Sequence, residues 1–541
     1  MKFPPFKACR SALVCGIAMA VTVPVTAQDV TVTIGDIKGF IDKAAELGSA
    51  VTPQFQPAMI KGQAGAMLGD PELKGLPEGS GVVVVLTETQ EPIAFLEVSE
   101  DMRTKYRETI SKLSHMESGE AQGLIIFGKT AESVKSGEAL AAKAKAKLDG
   151  KGQPTIAADV KLAELIKKNE PVIKNWTDMM VKQTAGKTGE TSGTKGPDLE
   201  AAAEVYIKLG QKVETLSFTF APNKDGLFLD IDAAPIGGKA VDLSGKCDLG
   251  KLMAAVPDSV AMRGEMCISP EAIKNMPPEF VEAYAKMFRS TKLTPEVLKE
   301  QMKEWSELWV GGLALGMYGA SDSLLSGVEL FPVKDEKKAL DLFAKMFGLF
   351  SEEATKPVEP REHNGVKISR FDAKALFATM AGGNNPEFEK MMKEQNFIFE
   401  TCAVNGIAIV GFDSKSTDFA IDTVKKGETK EAKPLLAKSN LPSGGFAYFD
   451  YDMEKFMKVI QTLGGDKSPM PADIFKGAVP IQGAAYTKSD KYRVSLLVPT
   501  SFMKSIANTA GQARSAGAPK PGIEMEDSVK PPSTLKKKTD E

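Results

Sequence analysis

The chain contains one stretch that matches a nucleotide-binding motif in residue type and spacing. Gly123 is followed, after four residues, by Gly128-Lys129-Thr130, which is the glycine, lysine and hydroxyl pattern of a phosphate-binding loop. In such a loop the backbone N–H groups between the glycines curl around phosphate oxygens. Here the intervening residues, Leu124 to Phe127, are all apolar and typical of a strand, whose N–H groups pair with neighbouring strands. We therefore predict a strand followed by a helix, with no nucleotide or other cofactor.

Few other residues could perform acid–base or metal chemistry. His115 and His363 are the two histidines; neither has the paired spacing of a zinc site, and no nucleophile-elbow pattern is present. We expect both in loops. Asp230 and Asp232 lie two residues apart in a predicted strand, so their carboxylates share one face. They could serve glycoside hydrolysis or bind a cation, but the polar face of a half-exposed strand also explains them. We predict no catalytic residue and no metal site.

The cysteines indicate no disulfide framework. Cys9 and Cys15 lie in the N-terminal segment, which leaves Cys247, Cys267 and Cys402 in the rest of the chain. Cys247 and Cys267 could pair across the turn between them. Alternatively, all three are small buried apolar side chains.

The N-terminal segment has the pattern of a secretory signal. Lys2, Lys7 and Arg10 precede an apolar run over 11–25, and small residues suitable for cleavage follow at 25–27. A lipid anchor on Cys15 is disfavoured, because no small residue directly precedes that cysteine. We expect a cleaved signal peptide and a periplasmic or extracellular location. No later segment is long and apolar enough for a membrane span in the mature protein.

Composition excludes some partners. The 541 residues carry a formal net charge of −3, with 26% charged and 43% hydrophobic residues. Charges of both signs are interspersed, which argues against nucleic-acid binding. The methionines mostly recur at helical spacing with other apolar residues, which is typical of core packing rather than of a metal site.

The elements that would position these residues occur twice in the same order. The predicted first set is two strands at 82–86 and 93–98, a helix at 100–113, a strand–helix step at 124–127 and 131–148, a strand at 155–158 that enters a helix at Asp159, and a hairpin of 215–221 and 227–233. The predicted second set is strands at 313–318 and 327–333, a helix at 335–350, a hairpin of 397–404 and 407–412 that leads into a helix, a strand at 445–449 that enters a helix at Asp450, and a hairpin of 483–487 and 492–498. The stretch 406–424 repeats the step at 123–140, which indicates an internal duplication.

These elements divide the chain into six regions. Trp305, Leu308 and Trp309 end the central region with an apolar patch, which we expect to pack against a module; an exposed partner site is the alternative. The regions are a signal peptide (1–27), an N-terminal helical lead-in (28–78), module one (79–236), a mainly helical connector (237–310), module two (311–504) and a disordered tail (505–541).

Three phrases carry a resemblance to known proteins. They are LPEGSGVVVVL at 76–86, DGLFLDIDAAP at 225–235 and LPSGGFAYFDYDMEKF at 441–456. With the predicted signal and the tandem modules, the chain resembles uncharacterised bacterial secreted and envelope proteins of the domain-of-unknown-function class. The resemblance implies an envelope location and no particular chemistry.

The sequence thus predicts an α+β protein with two tandem homologous modules, each an antiparallel-rich sheet backed by helices. It favours a non-enzymatic binding or scaffolding role in the cell envelope, with an envelope or surface protein as partner. One alternative is a carrier of an apolar ligand in a cleft between sheet and helices. Another is a carboxylate-dependent hydrolase that uses Asp230 and Asp232.

Overall fold

The computed structural model describes residues 30–52, 56–86, 91–149, 153–187, 199–287, 292–319, 326–350, 356–373, 397–427, 435, 440–464 and 473–515. Its strands are β1 (Val30–Ile34), β2 (Val82–Leu86), β3 (Pro92–Glu97), β4 (Glu117–Ala121), β5 (Leu124–Gly128), β6 (Ile156–Val160), β7 (Val213–Asn223), β8 (Gly226–Pro235), β9 (Met262–Cys267), β10 (Gly312–Met317), β11 (Gly327–Pro332), β12 (Lys356–His363), β13 (Val366–Asp372), β14 (Ile398–Val404), β15 (Ile407–Gly411), β16 (Ala447–Tyr451), β17 (Ile481–Lys488) and β18 (Lys491–Pro499).

Helices occur between these strands and after the last of them. They are α1 (Ile37–Val51), α2 (Pro57–Met67), α3 (Arg103–Ser114), α4 (Ala131–Asp149), α5 (Leu162–Lys187), α6 (Leu199–Gly210), α7 (Leu249–Ala254), α8 (Pro270–Lys274), α9 (Pro278–Met287), α10 (Pro295–Leu308), α11 (Glu336–Phe350), α12 (Ser414–Lys426), α13 (Met453–Gly464) and α14 (Thr500–Ser515). The chain is an α+β protein, as the sequence predicts. No helix in the described part of the chain combines the length and the apolar character needed to cross a bilayer.

The strands form one antiparallel sheet. Across the described residues the order is β4-β5-β3-β2-β1-β6-β7-β8-β18-β17-β16-β9-β10-β11-β15-β14-β13-β12. Strands β4 and β12 form its two ends. The middle of the sheet is the pair formed by β8 and β18, which come from distant parts of the sequence.

Strand β5 is buried on both faces, which explains its continuous apolar sequence. Leu124 and Ile126 pack on the side of α4, in the cluster that includes Val134. Ile125 and Phe127 point the other way, into a cluster with residues of α1 and α3. Strand β15 is packed similarly, since Ile409 contacts the α12 side while Ala408 and Val410 pack on the α11 side.

The connector packs against the sheet. Trp309 is buried, and its indole Nε1 donates to the Gly312 carbonyl at 2.6 Å. Trp305 packs edge-on against Phe331 of β11 and also contacts Phe343 of α11. The two tryptophans of this patch therefore pack against β11, α11 and the start of β10, in place of forming an exposed partner site.

The cysteines resolve the alternatives that the sequence left open. Cys247 and Cys267 form a disulfide, with Cα atoms 5.8 Å apart, which ties the segment between β8 and α7 to the end of β9. Cys402 is a buried free thiol on β14, and burial raises its pKa to about 12. It is thus inert at neutral pH.

Two strands were missed, and two helix starts were predicted too early. No strand is predicted between the helix at 100–113 and the strand at 124–127, but Glu117–Ala121 forms edge strand β4. A strand at an edge that faces solvent does not need the apolar alternation by which strands are recognised. Strand β12 was missed for the same reason. The helix expected at Asp159 begins only at Leu162, because Asp159 belongs to β6, and Pro171 lies inside α5 without ending it. Likewise, the helix expected at Asp450 begins only at Met453, because Asp450 belongs to β16.

The C-terminal helix extends into the predicted tail. Helix α14 continues to Ser515, although 505–541 was expected to be disordered. Phe502 stacks on Phe475 with ring centroids 5.1 Å apart, and this packing anchors the start of the helix where the apolar pattern is sparse. The predicted signal peptide (1–27) and residues 516–541 of the predicted tail lie outside the described residues.

Candidate functional site at the junction of β8 and β18

The two carboxylates singled out in the sequence lie where β8 meets β18. Asp230 is directly opposite Ser495, and Asp232 is directly opposite Arg493. The Ser495 Oγ donates to Asp230 Oδ1 at 2.5 Å. The Arg493 guanidinium donates from Nε and Nη2 to the two oxygens of Asp232, each at 2.6 Å. A further guanidinium nitrogen lies 3.6 Å from Asp230.

The alternation of side chains along each strand produces this arrangement. Asp230 and Asp232 share one face of β8, as predicted, and Leu229 and Ile231 point to the other. On β18, Arg493 and Ser495 take the polar face, and the apolar residues between and beside them take the opposite one. The register of β8 with β18 then places acid opposite base and acid opposite hydroxyl.

The ion pair is bidentate and half-buried. The hydrogen bonds to Asp232, opposed by burial, raise the pKa of Arg493. Fork-like pairs of this kind are geometrically specific and stronger than single contacts. Both carboxylates are thus held by side chains of β18, and they join two distant parts of the chain rather than pointing free into a cleft.

The same polar face continues over β7 and β6. Ser217 lies opposite Asp232 on one side and opposite Asp159 on the other. The Ser217 Oγ donates to Asp159 Oδ1 at 2.7 Å, and the Lys147 ammonium of α4 donates to Asp159 Oδ2 at 2.8 Å. No local sequence pattern indicates this ion pair, because Lys147 and Asp159 lie on separate predicted elements.

The phosphate-loop pattern falls on a buried strand and a helix start. The residues between its glycines belong to β5, so the prediction of a strand followed by a helix is confirmed. The Thr130 hydroxyl accepts from the Ser133 N–H at 3.1 Å, which caps α4. A Cβ atom on Gly128 would lie 2.8 Å from the Ser133 Cβ, so the backbone there is packed against the helix and forms no anion cradle.

The two histidines lie far apart in the fold. His115 ends α3 with a left-handed backbone (φ 56°). His363 was expected in a loop, but it ends β12 beside the hairpin turn, where its ring Nε2 lies 2.8 Å from Asp422 of α12. No group of three or more His, Cys, Asp or Glu side chains that could hold a metal ion occurs among the described residues.

A second charged cluster, absent from the sequence analysis, surrounds Glu400 of β14. Arg361 of β12 donates two hydrogen bonds to Glu400 at 2.7 and 2.6 Å and a third to Asp418 of α12 at 2.6 Å. Arg370 of β13 lies 3.4 Å from the same carboxylate, and the Ser414 Oγ donates to it at 2.8 Å. The Glu400 side chain is only 1% exposed. Burial by itself would raise the pKa of Glu400, but the hydrogen bonds from Arg361 and Ser414 lower it.

Two surface clefts among the described residues are open and polar. One, of about 560 Å³, lies between α1 and the β7–β8 turn; the other, of about 570 Å³, lies between α10 and α11. Their lining is dominated by charged side chains, unlike the mostly apolar lining of small-molecule sites. Neither favours an apolar ligand.

Comparison of the chain with protein-family models, with curated proteins and with solved structures found no match in any of the three. No residue of the junction therefore takes a role from similarity to another protein. The contacts described above are the basis for assigning one.

Proposed function

We propose that this chain is a secreted or periplasmic, non-enzymatic binding or scaffolding protein of the cell envelope, built from two copies of one strand–helix module. The observation that carries this proposal is that side chains of β18 bind both Asp230 and Asp232. They were the best catalytic candidates in the sequence, and both are bonded to β18 at the junction of the two halves. An acid–base or nucleophilic pair would instead need a carboxylate free to meet a substrate.

The order of strands supports the duplication. From its outer end to the junction, the first half runs β4-β5-β3-β2-β1-β6-β7-β8. The second half runs β14-β15-β11-β10-β9-β16-β17-β18, with hairpin β12–β13 added outside β14. Each strand in the first series has a counterpart at the same step of the second.

The residue register supports it further. The two-residue turns Gln122-Gly123 and Asn405-Gly406 both have positive φ at both positions (54° and 77°, 51° and 75°). If these turns are equivalent, the strand pairings match each residue of one half with a residue of the other, one strand after the next. At the far end, turn Lys224-Asp225 then coincides with turn Ser489-Asp490. Independent sheets would not be expected to agree over eight strands.

The helix starts correspond as well. Thr130 caps α4 by accepting from the Ser133 N–H at 3.1 Å, and Asp413 caps α12 by accepting from the Ser416 N–H at 2.9 Å. Each cap lies two residues after the glycine that ends the preceding strand. The pattern that looks like a phosphate loop is, in this proposal, the module's strand–helix step.

The same equivalence makes the junction symmetric. Asp230 corresponds to Ser495, and these two residues are directly opposite each other in the β8–β18 pair. A pseudo-twofold axis would pass between them, as in an isologous dimer interface. On one side of that axis lies the Asp232–Arg493 pair, and on the other lies its counterpart, Phe228 opposite Leu497.

The compartment is supported by the N-terminal pattern and by one covalent feature. Residues 1–27 have the composition of a cleaved signal. The Cys247–Cys267 disulfide is compatible with an oxidising compartment.

The proposal is tested by a turnover screen with a binding arm. We expect the purified mature protein to hydrolyse no ester, glycoside, phosphate or peptide substrate above the level of its Asp230→Asn/Asp232→Asn variant. Purified folded protein that carries a photo-crosslinker, added to an envelope extract, should give discrete adducts with envelope proteins. The same protein denatured before it is added should not give them. Turnover that the double variant abolishes would overturn the proposal in favour of the hydrolase alternative.

A further inference from the structure

Strand β4 leaves one edge of the sheet unpaired. It pairs with β5 and with no other strand among the described residues. The β4–β5 hairpin has a two-residue turn, which closes on a hydrogen-bonded pair, so the backbone groups of Ser118 and Glu120 point away from β5. An exposed edge of this kind is a template for another extended segment.

The second half of the chain shows what covers the corresponding edge. Strand β14 occupies the position of β4, and β13 pairs with its outer side in antiparallel register. Arg370 of β13 lies directly opposite Glu400 of β14. Hairpin β12–β13 therefore adds an extended segment to β14 and brings two arginines to one carboxylate.

Glu117 of β4 is the counterpart of Glu400. Each is opposite the glycine that ends the neighbouring strand, Gly128 for Glu117 and Gly411 for Glu400. Glu400 is buried against Arg361, whereas the Glu117 side chain is exposed and makes no hydrogen bond or ion pair with a described residue. In the part of the first half that the structure describes, Arg107 of α3 binds Glu120 at 3.2 Å, but no arginine binds Glu117.

We propose that the free edge of β4 binds an extended, arginine-bearing segment of a partner protein, added antiparallel so that its arginine pairs with Glu117. This inference rests on the duplication proposed above, and it specifies the strand edge at which the proposed binding protein holds its partner. A second copy of the chain fits less well, because its own β4 carries two glutamates and no arginine to pair with Glu117. Backbone hydrogen bonds would hold the segment, and the arginine would set its register.

The probe is a fluorescent peptide with the sequence of residues 356–373, the chain's own arginine-bearing hairpin, titrated against the full-length mature protein. We expect one peptide to bind per chain. Ser118→Pro removes an outward N–H group without touching the β4–β5 ladder, and Glu117→Arg reverses the charge; each should weaken binding at least tenfold. Glu138→Gln, a loss of one exposed acid on α4, is the matched control and should leave binding unchanged. Thermal melts establish that each variant is folded.

A charge swap makes the register explicit. A peptide with both arginines changed to glutamate should fail to bind the natural protein and should bind the Glu117→Arg variant. No binding of the original peptide, equal binding by Ser118→Pro, or self-association of the chain in place of peptide uptake would each overturn the proposal. These failures would leave the turnover screen unaffected, so they are distinguishable from a failure of the proposed function.

Discussion

Glu329 of β11 is a carboxylic acid held among apolar side chains. Its neighbours across the sheet are Leu315 of β10 and Val410 of β15, and Phe331 is the next residue on the same face of its strand. Among the residues that the structure describes, no charged side chain lowers the cost of ionising it, and burial raises its pKa to about 7. At neutral pH the protein therefore holds an acid that is only partly ionised.

The pH dependence of stability follows from this shift. The folded pKa lies above the ordinary value of 4.5, so the folded state binds the proton more tightly than the unfolded state between these two values. The contribution of Glu329 to stability is complete below about pH 4.5 and is lost as the pH rises through about 7. The loss is at most about 3.5 kcal/mol, from about 1.4 kcal/mol for each pKa unit.

Glu329→Gln should remove that dependence. We expect the variant to gain stability relative to the natural protein as the pH is raised from 5 to 8, because the amide does not ionise. Urea-unfolding midpoints at several pH values measure the difference. Glu138→Gln, on an exposed face of α4, should show no such gain, and parallel curves for Glu329→Gln and the natural protein would contradict the assignment.

At the residue scale, the sequence identified groups but not their partners. The two-residue spacing of Asp230 and Asp232 predicts their shared face correctly. Arg493, which binds Asp232, lies on a strand far away in the sequence, and only the β8–β18 register brings the two together. Glu400 and Arg361 were missed for the same reason, because a buried ion pair formed by an insertion leaves no local pattern.

The paired strands at the junction allow a sharper test, because the proposed symmetry relates an ion pair to an apolar pair. Asp232 with Arg493 corresponds to Leu497 with Phe228. Asp232→Leu or Arg493→Phe alone leaves a half-buried charge without its partner, and each should cost about 2 kcal/mol of unfolding free energy. The double variant should recover most of that loss, since it recreates the apolar pair on the other side of the axis.

The measurement is a double-mutant cycle from urea unfolding. Coupling of at least about 1 kcal/mol between the two positions is the expected result. Lys147→Met, which breaks the separate ion pair with Asp159, is the control and should show no coupling to Asp232→Leu. Additive effects of Asp232→Leu and Arg493→Phe would contradict the described register.

At the element scale, strands with a strong apolar pattern were predicted closely and solvent-facing ones were not. Strand β5 and the hairpin of β14 and β15 match their expected positions to within a residue or two, because buried residues on both faces leave a continuous signal. Strands β4 and β12 carry charged residues and a free edge, so periodicity does not reveal them. It is the free edge of β4 on which the proposed docking depends.

At the scale of the whole molecule, the order of elements was visible in the sequence and their assembly was not. The repetition of strands, helices and hairpins suggested two modules. The single sheet depends on the pairing of β8 with β18. The sequence does not indicate which edge strands pair, because antiparallel strands of similar length have similar patterns.

The central claim is that two copies of one module meet through their last strands, with Asp230 opposite Ser495. The most direct measurement is disulfide trapping in the full chain with Asp230→Cys/Ser495→Cys. These two positions form a non-hydrogen-bonded pair of β8 and β18, and Cα atoms in such pairs are about 4.5 Å apart, which is close enough for a disulfide. We expect a crosslink under mild oxidation, identified as a linked peptide by mass spectrometry. Asp230→Cys/Val494→Cys, whose second side chain points to the opposite face, should give none. Absence of the first crosslink, or equal yield from both variants, would contradict the account.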